Sequence, residues 1–262
     1  MKNKTLRGSL SIIACLIFFF NASGQQHTRS YYTLRVYYYK SDTQERRIDS
    51  FLQYSFIPAL HRQGIKKTGV YKPIANDTAA LKRIYVLMPF ESAIQMMDFA
   101  QRLNKDQTYI NSSQSFIDAA YNDPPYQRMH TIFLHAFELM PRYATPALTS
   151  EKKDRVYELR SYESATESLY RKKVKMFNQG GEIDLFKRLG FNAVFYAEVI
   201  AGSQMPNLMY MTSFDNMSAR EEHWKSFTND PAWKKLLLVQ EYNNTVSRNE
   251  TILMRPALYS EL

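Results

Sequence analysis

Two short segments place an arginine and a tyrosine at matching positions: Tyr32-Thr-Leu-Arg-Val-Tyr37 and Tyr157-Glu-Leu-Arg-Ser-Tyr162. Side chains alternate along a β-strand, so Thr33, Arg35 and Tyr37 share one face, and Glu158, Arg160 and Tyr162 share the corresponding face of the second segment. If these faces look into one enclosed space, Arg35 and Arg160 could grip a carboxylate or phosphate bidentately. The competing reading is structural: each arginine, Arg160 with a nearby acid for example, forms an internal ion pair, because buried charges are usually paired. His223, next to Trp224, is a candidate general base or haem-facing ligand. The plainer alternative is a histidine packed against a core tryptophan. His130 and His135 are five residues apart and face opposite sides of a strand, so they cannot share a metal. Neither a metal site nor a cofactor is expected.

The elements that must position these residues repeat. Arg83-Ile-Tyr-Val-Leu-Met-Pro-Phe90 answers Asn207-Leu-Met-Tyr-Met-Thr-Ser-Phe214, and Asn122-Asp-Pro-Pro-Tyr126 answers Asn229-Asp-Pro-Ala-Trp233. The second interval is longer in the first copy, which implies an insertion there. In the second copy, residues 155 to 163 alternate as a strand. Residues 166 to 189 follow a helical period interrupted at Gly180-Gly181, and two β-runs follow at 191 to 201 and 207 to 214. Ser218 with Glu221 reads as a capping box, Asp230-Pro231 as a cap and first turn, and residues 245 to 255 as a closing strand. This βαββαβ order predicts an α+β fold of two tandem ferredoxin-like units. Each antiparallel sheet carries helices on one face, so packing the open faces together gives a pseudo-dimeric α+β barrel. The expected boundaries are a diverged N-terminal unit over 25–143, a linker over 144–154 and a second unit over 155–262.

Residues 1–24 have the three parts of a secretory signal: basic Lys2, Lys4 and Arg7, an apolar run from Leu10 to Phe20, and small Ala22-Ser23-Gly24 before cleavage at Gly24/Gln25. The apolar run is too short for a spanning helix, so no stable membrane span is expected after cleavage. Cys15 is the single cysteine and would leave with the signal, which removes disulfides and thiol catalysis from consideration. The signal also carries three of the cations behind the formal +9, and the remaining basic residues are interspersed with acids. Together with export to the periplasm or medium, this argues against a nucleic-acid partner.

The second copy resembles the NIPSNAP family. The likeness rests on Tyr157-Glu-Leu-Arg-Ser-Tyr162, Leu208-Met-Tyr-Met211, Ala219-Arg-Glu-Glu-His-Trp224, Asp230-Pro-Ala-Trp233 and Leu253-Met-Arg-Pro256. The first copy keeps Leu34-Arg35 and Asp123-Pro124 but has Tyr126 in place of the tryptophan. The resemblance implies a dimeric α+β barrel fold and brings no catalytic set. Two functions stay open: an exported module that binds a small molecule or a partner, homo-oligomers included, and a cofactor-poor oxygenase- or isomerase-like enzyme that uses the barrel cavity. The ligand-pocket candidates are Arg35, Tyr37, Glu158, Arg160, Tyr162 and His223, of which Arg35, Arg160, Tyr162 and His223 are the polar groups nominated for the enzyme reading.

Overall fold

The structure is a computed structural model that describes residues 28–202 and 204–262; the expected signal peptide, its cleavage site and Cys15 lie outside these residues. The first half runs β1 (Tyr31–Tyr39), α1 (Asp42–Phe51), a π-helical turn (Leu52–Phe56), α2 (Ile57–Arg62), β2 (Gly69–Pro73), β3 (Lys82–Phe90), α3 (Ala93–Leu103), α4 (Gln107–Ile117) and β4 (Arg128–Ala136). The second half runs β5 (Val156–Glu163), α5 (Glu167–Asn178), α6 (Glu182–Arg188), β6 (Asn192–Ala201), β7 (Asn207–Phe214), α7 (Met217–Asn229), α8 (Pro231–Leu237) and β8 (Arg248–Pro256). Helix α4 falls within the insertion expected from the repeat spacing.

The eight strands of the described residues close into one barrel in the order β1-β3-β2-β8-β5-β7-β6-β4, and every pairing is antiparallel. The halves meet along two seams, β2 with β8 and β4 with β6. Closure leaves no free sheet edge. Tyr32, Leu34, Val36, Tyr157, Leu159 and Met209 belong to the cluster that fills the lumen. The opposite phase of the same strands lies under the helices, in one cluster per half.

This orientation corrects the expectation that the arginine faces look into a shared lumen. Arg35 and Tyr37 pack under α3 and the π-helical turn, and Arg160 and Tyr162 under α5 and α7, on the outside of the barrel. The physical reason is the cost of burying these cations among the apolar lumen residues: in β1 and β5 the more apolar phase turns inward, and Arg35 and Arg160 take the helix side, where Arg160 finds its partners.

Local signals place the helices. Gly181 adopts φ +89° between α5 and α6, a conformation that a side chain disfavours, and a Cβ on Gly180 would lie 2.6 Å from the Met176 carbonyl oxygen. The long helical pattern therefore breaks here. Asp230 caps α8 by accepting from the Ala232 amide at 2.8 Å, with Pro231 at the first helical position. The expected Ser218 cap is corrected: the N-cap lies two residues earlier at Asn216, which accepts from the Ala219 amide at 2.9 Å, and the Ser218 hydroxyl turns to Glu222.

Candidate functional site

On β5, Glu158 is fully buried on the helix side of the barrel. Its Oε1 accepts from Arg160 Nε at 2.6 Å, and its Oε2 accepts from Arg220 Nε at 2.7 Å and from Trp224 Nε1 at 2.8 Å. Arg160 sits two residues along the same strand face, while Arg220 and Trp224 are four apart and share one face of α7. The Arg160 guanidinium stacks over the Trp224 ring at 3.7 Å from its centroid. One buried carboxylate thus fixes two cations and an indole.

Arg160 Nη1 also donates to the Tyr162 hydroxyl at 3.0 Å, and Tyr162 and Tyr210 share a hydrogen bond of 2.9 Å. Burial works against the Arg160 charge, but Tyr210, Tyr162 and Glu158 outweigh it and hold its pKa above the ordinary value. Burial also raises the Tyr210 hydroxyl far above its usual range, so it stays protonated. Behind this group, Lys173 on α5 donates to Glu182 on α6 at 2.9 Å, and both side chains are almost wholly buried. Burial raises the Glu182 pKa, opposed by Lys173 and Arg160.

A cleft of about 440 Å³ opens over these residues, within the size range of small-molecule sites. Arg160, Arg220 and Lys173 stand on its polar side, and Phe186, Phe227 and Trp233 on its apolar side. A guanidinium has five N–H donors. Among the described residues, Arg160 uses two of them within the protein and Arg220 uses one. Glu158 binds both through Nε, and both arginines line the cleft with N–H donors left over.

The expected site residues divide. Arg160 and Tyr162 line this cleft, and Glu158 anchors it from behind. The ion pair anticipated for Arg160 is present, with Glu158 as the acid. Arg35 and Tyr37 lie under the helices of the other half. His223 points away from the cleft, stacking edge-on with Phe191 and Phe214 while Nδ1–H donates to the Ala219 carbonyl of its own helix at 2.6 Å.

The NIPSNAP family model matches residues 157–261. The second half of the chain carries a NIPSNAP domain. No curated protein matches the sequence. Among solved structures, a provisionally assigned monooxygenase from Fusobacterium nucleatum is 7% identical, with 88% of this chain and 93% of that chain covered at a TM-score of 0.57. A second, from Lactobacillus acidophilus, is 10% identical, with 89% and 98% covered at 0.54. At these identities the likeness is one of fold and extends over both halves of the barrel.

The cleft belongs wholly to the NIPSNAP domain. Its β5 residues were visible in the sequence, whereas Arg220, Lys173, Glu182 and Tyr210 were missed as site residues. One available signal was the spacing of Arg220 and Trp224, which puts a cation and a large aromatic on one helical face.

Proposed function

We propose that the NIPSNAP domain is a binding module for a small anionic molecule with an apolar, preferably aromatic, body. The observation that carries this reading is the Glu158 clamp, which holds Arg160 and Arg220 beside a cleft with aromatic walls while most of their N–H donors have no partner among the described residues. A carboxylate seated between them would receive charge-assisted bonds from preordered donors, and its body would pack on Trp233 and Phe227. The alternative, an oxygenase- or isomerase-like reaction, needs a free acid or base near the ligand. Glu158 and Glu182 are both engaged in ion pairs and His223 is turned away, which favours binding over catalysis.

In the same reading, two tandem ferredoxin-like units, 25–143 and 155–262, joined by 144–154, build the barrel, and residues 1–24 direct export to the periplasm or beyond. No helix among the described residues is long and apolar enough to cross a membrane.

Both tryptophans of the chain, Trp224 and Trp233, line the cleft, so intrinsic fluorescence reports on it directly. Titration with benzoate and 3-phenylpropionate is expected to change tryptophan emission saturably, whereas benzyl alcohol has little effect. Arg220→Gln leaves Glu158 paired with Arg160 and is expected to weaken carboxylate binding about 10- to 100-fold, the range for losing a charge-assisted bond. Equal responses to benzoate and benzyl alcohol, or no response to any carboxylate, would sink the reading.

A further inference from the structure

The first half keeps the strand arginine and loses the groups that surround its counterpart. Aligned from Tyr32 and Tyr157, Thr33 stands where the NIPSNAP domain has Glu158, and Arg35 where it has Arg160. Aligned from Phe90 and Phe214, each two residues before a helix cap, Met96 replaces Arg220 and Ala100 replaces Trp224. A carboxylate, a second cation and an indole are therefore gone together, and Arg35 remains.

Arg35 is left without the pairing that Arg160 has. Among the described residues its one hydrogen bond is a long one, from Nη1 to the Tyr37 hydroxyl at 3.4 Å. Its guanidinium lies 5.2 Å from the Phe56 ring centroid and 5.8 Å from that of Phe99. Arg35 Nε is buried with no hydrogen-bond partner, and so is the hydroxyl of Thr33, whose side chain is wholly buried two residues away on the same strand face. Native interiors rarely leave a buried donor unpaired, and a cationic donor least of all. The nearby phenols do not supply an anion: burial pushes Tyr109 up to about 12 and raises Tyr37 as well, so both are neutral at physiological pH.

We propose that Arg35 and Thr33 form a second, separate binding site, for a small monovalent anion of the halide or short-carboxylate class, seated where the NIPSNAP domain holds the Glu158 carboxylate. One cation and one hydroxyl suit a single compact charge, and a phosphate dianion would be under-neutralised. What the second half supplies from its own chain, the first half takes from solution.

Thermal unfolding of the purified full chain tests this, with bromide or formate titrated at constant ionic strength against sulfate. Wild type is expected to gain about 5–10 °C at a hundredfold excess over Kd. Thr33→Glu supplies an internal carboxylate, so it is expected to start with a higher Tm than wild type and to lose the anion response. Arg35→Met is expected to lose the response from the other side, and it gives the same reading if Thr33→Glu does not fold. Whether bromide or formate produces the gain identifies the anion class. Parallel responses in wild type and a folded variant would overturn the proposal, as would no response in wild type to either anion.

Discussion

Glu158→Ala is expected to destabilise the protein by about 3–5 kcal/mol, the range for breaking a buried ion pair by removing one partner. The substitution deletes the acceptor for Arg160, Arg220 and the Trp224 indole at once and leaves two mostly buried cations facing each other. For a chain of this size, the loss corresponds to a fall in Tm of roughly 6–20 °C. Arg220→Leu is expected to cost less, because Glu158 then keeps Arg160 and the indole. Urea unfolding of the two variants checks the order. A Glu158→Ala protein as stable as wild type would mean that the carboxylate does not organise the cleft.

Lys173→Met is expected to cost a similar ~3–5 kcal/mol near neutral pH, since it strands the buried Glu182 carboxylate without its lysine partner. Its pH dependence is distinctive. Burial already raises the Glu182 pKa above its ordinary 4.5, and removal of the lysine raises it further. A carboxyl whose folded pKa lies above its unfolded value holds its proton more tightly in the folded state, so stability falls as pH rises through and above that ordinary value. The deficit of the variant should therefore be small near pH 4 and grow toward pH 7. The double variant Lys173→Met/Glu182→Leu removes both charges and is expected to approach or exceed wild type, as apolar replacements of buried pairs often do. Denaturant midpoints at several pH values check both statements; a deficit independent of pH, or no recovery in the double variant, would contradict them.

The strand-helix order of the second half and the arginine positions on their strands were legible because they depend on local pattern: alternation in Tyr157 to Tyr162, the glycine pair at 180–181 and the proline after Asp230. The side that Arg160 faces was not legible. Alternation divides a strand into two faces without saying which one meets the lumen, and that choice is made by closure of the whole barrel. A usable cue was the apolar Leu34, Val36 and Leu159 phase, which fits a sealed lumen better than a phase bearing Arg35 and Arg160. The Lys173 and Glu182 pair was hidden for another reason. Nine residues along an unbroken helix span two and a half turns and end on opposite faces, and only the reversal at Gly181 brings the two side chains together. Partners of Glu158 from α7 likewise required the helix to be docked on the sheet before their contact could be seen.

The most direct test of the cleft as an anion-binding site is native mass spectrometry of the protein isolated from its own source, with denaturing release and identification of what is bound. The account predicts one small acid with an apolar body per chain, retained by Arg35→Met and lost from Arg220→Gln. A chain that is empty and also fails to take up aryl carboxylates, or a bound molecule retained equally by Arg220→Gln, would contradict it.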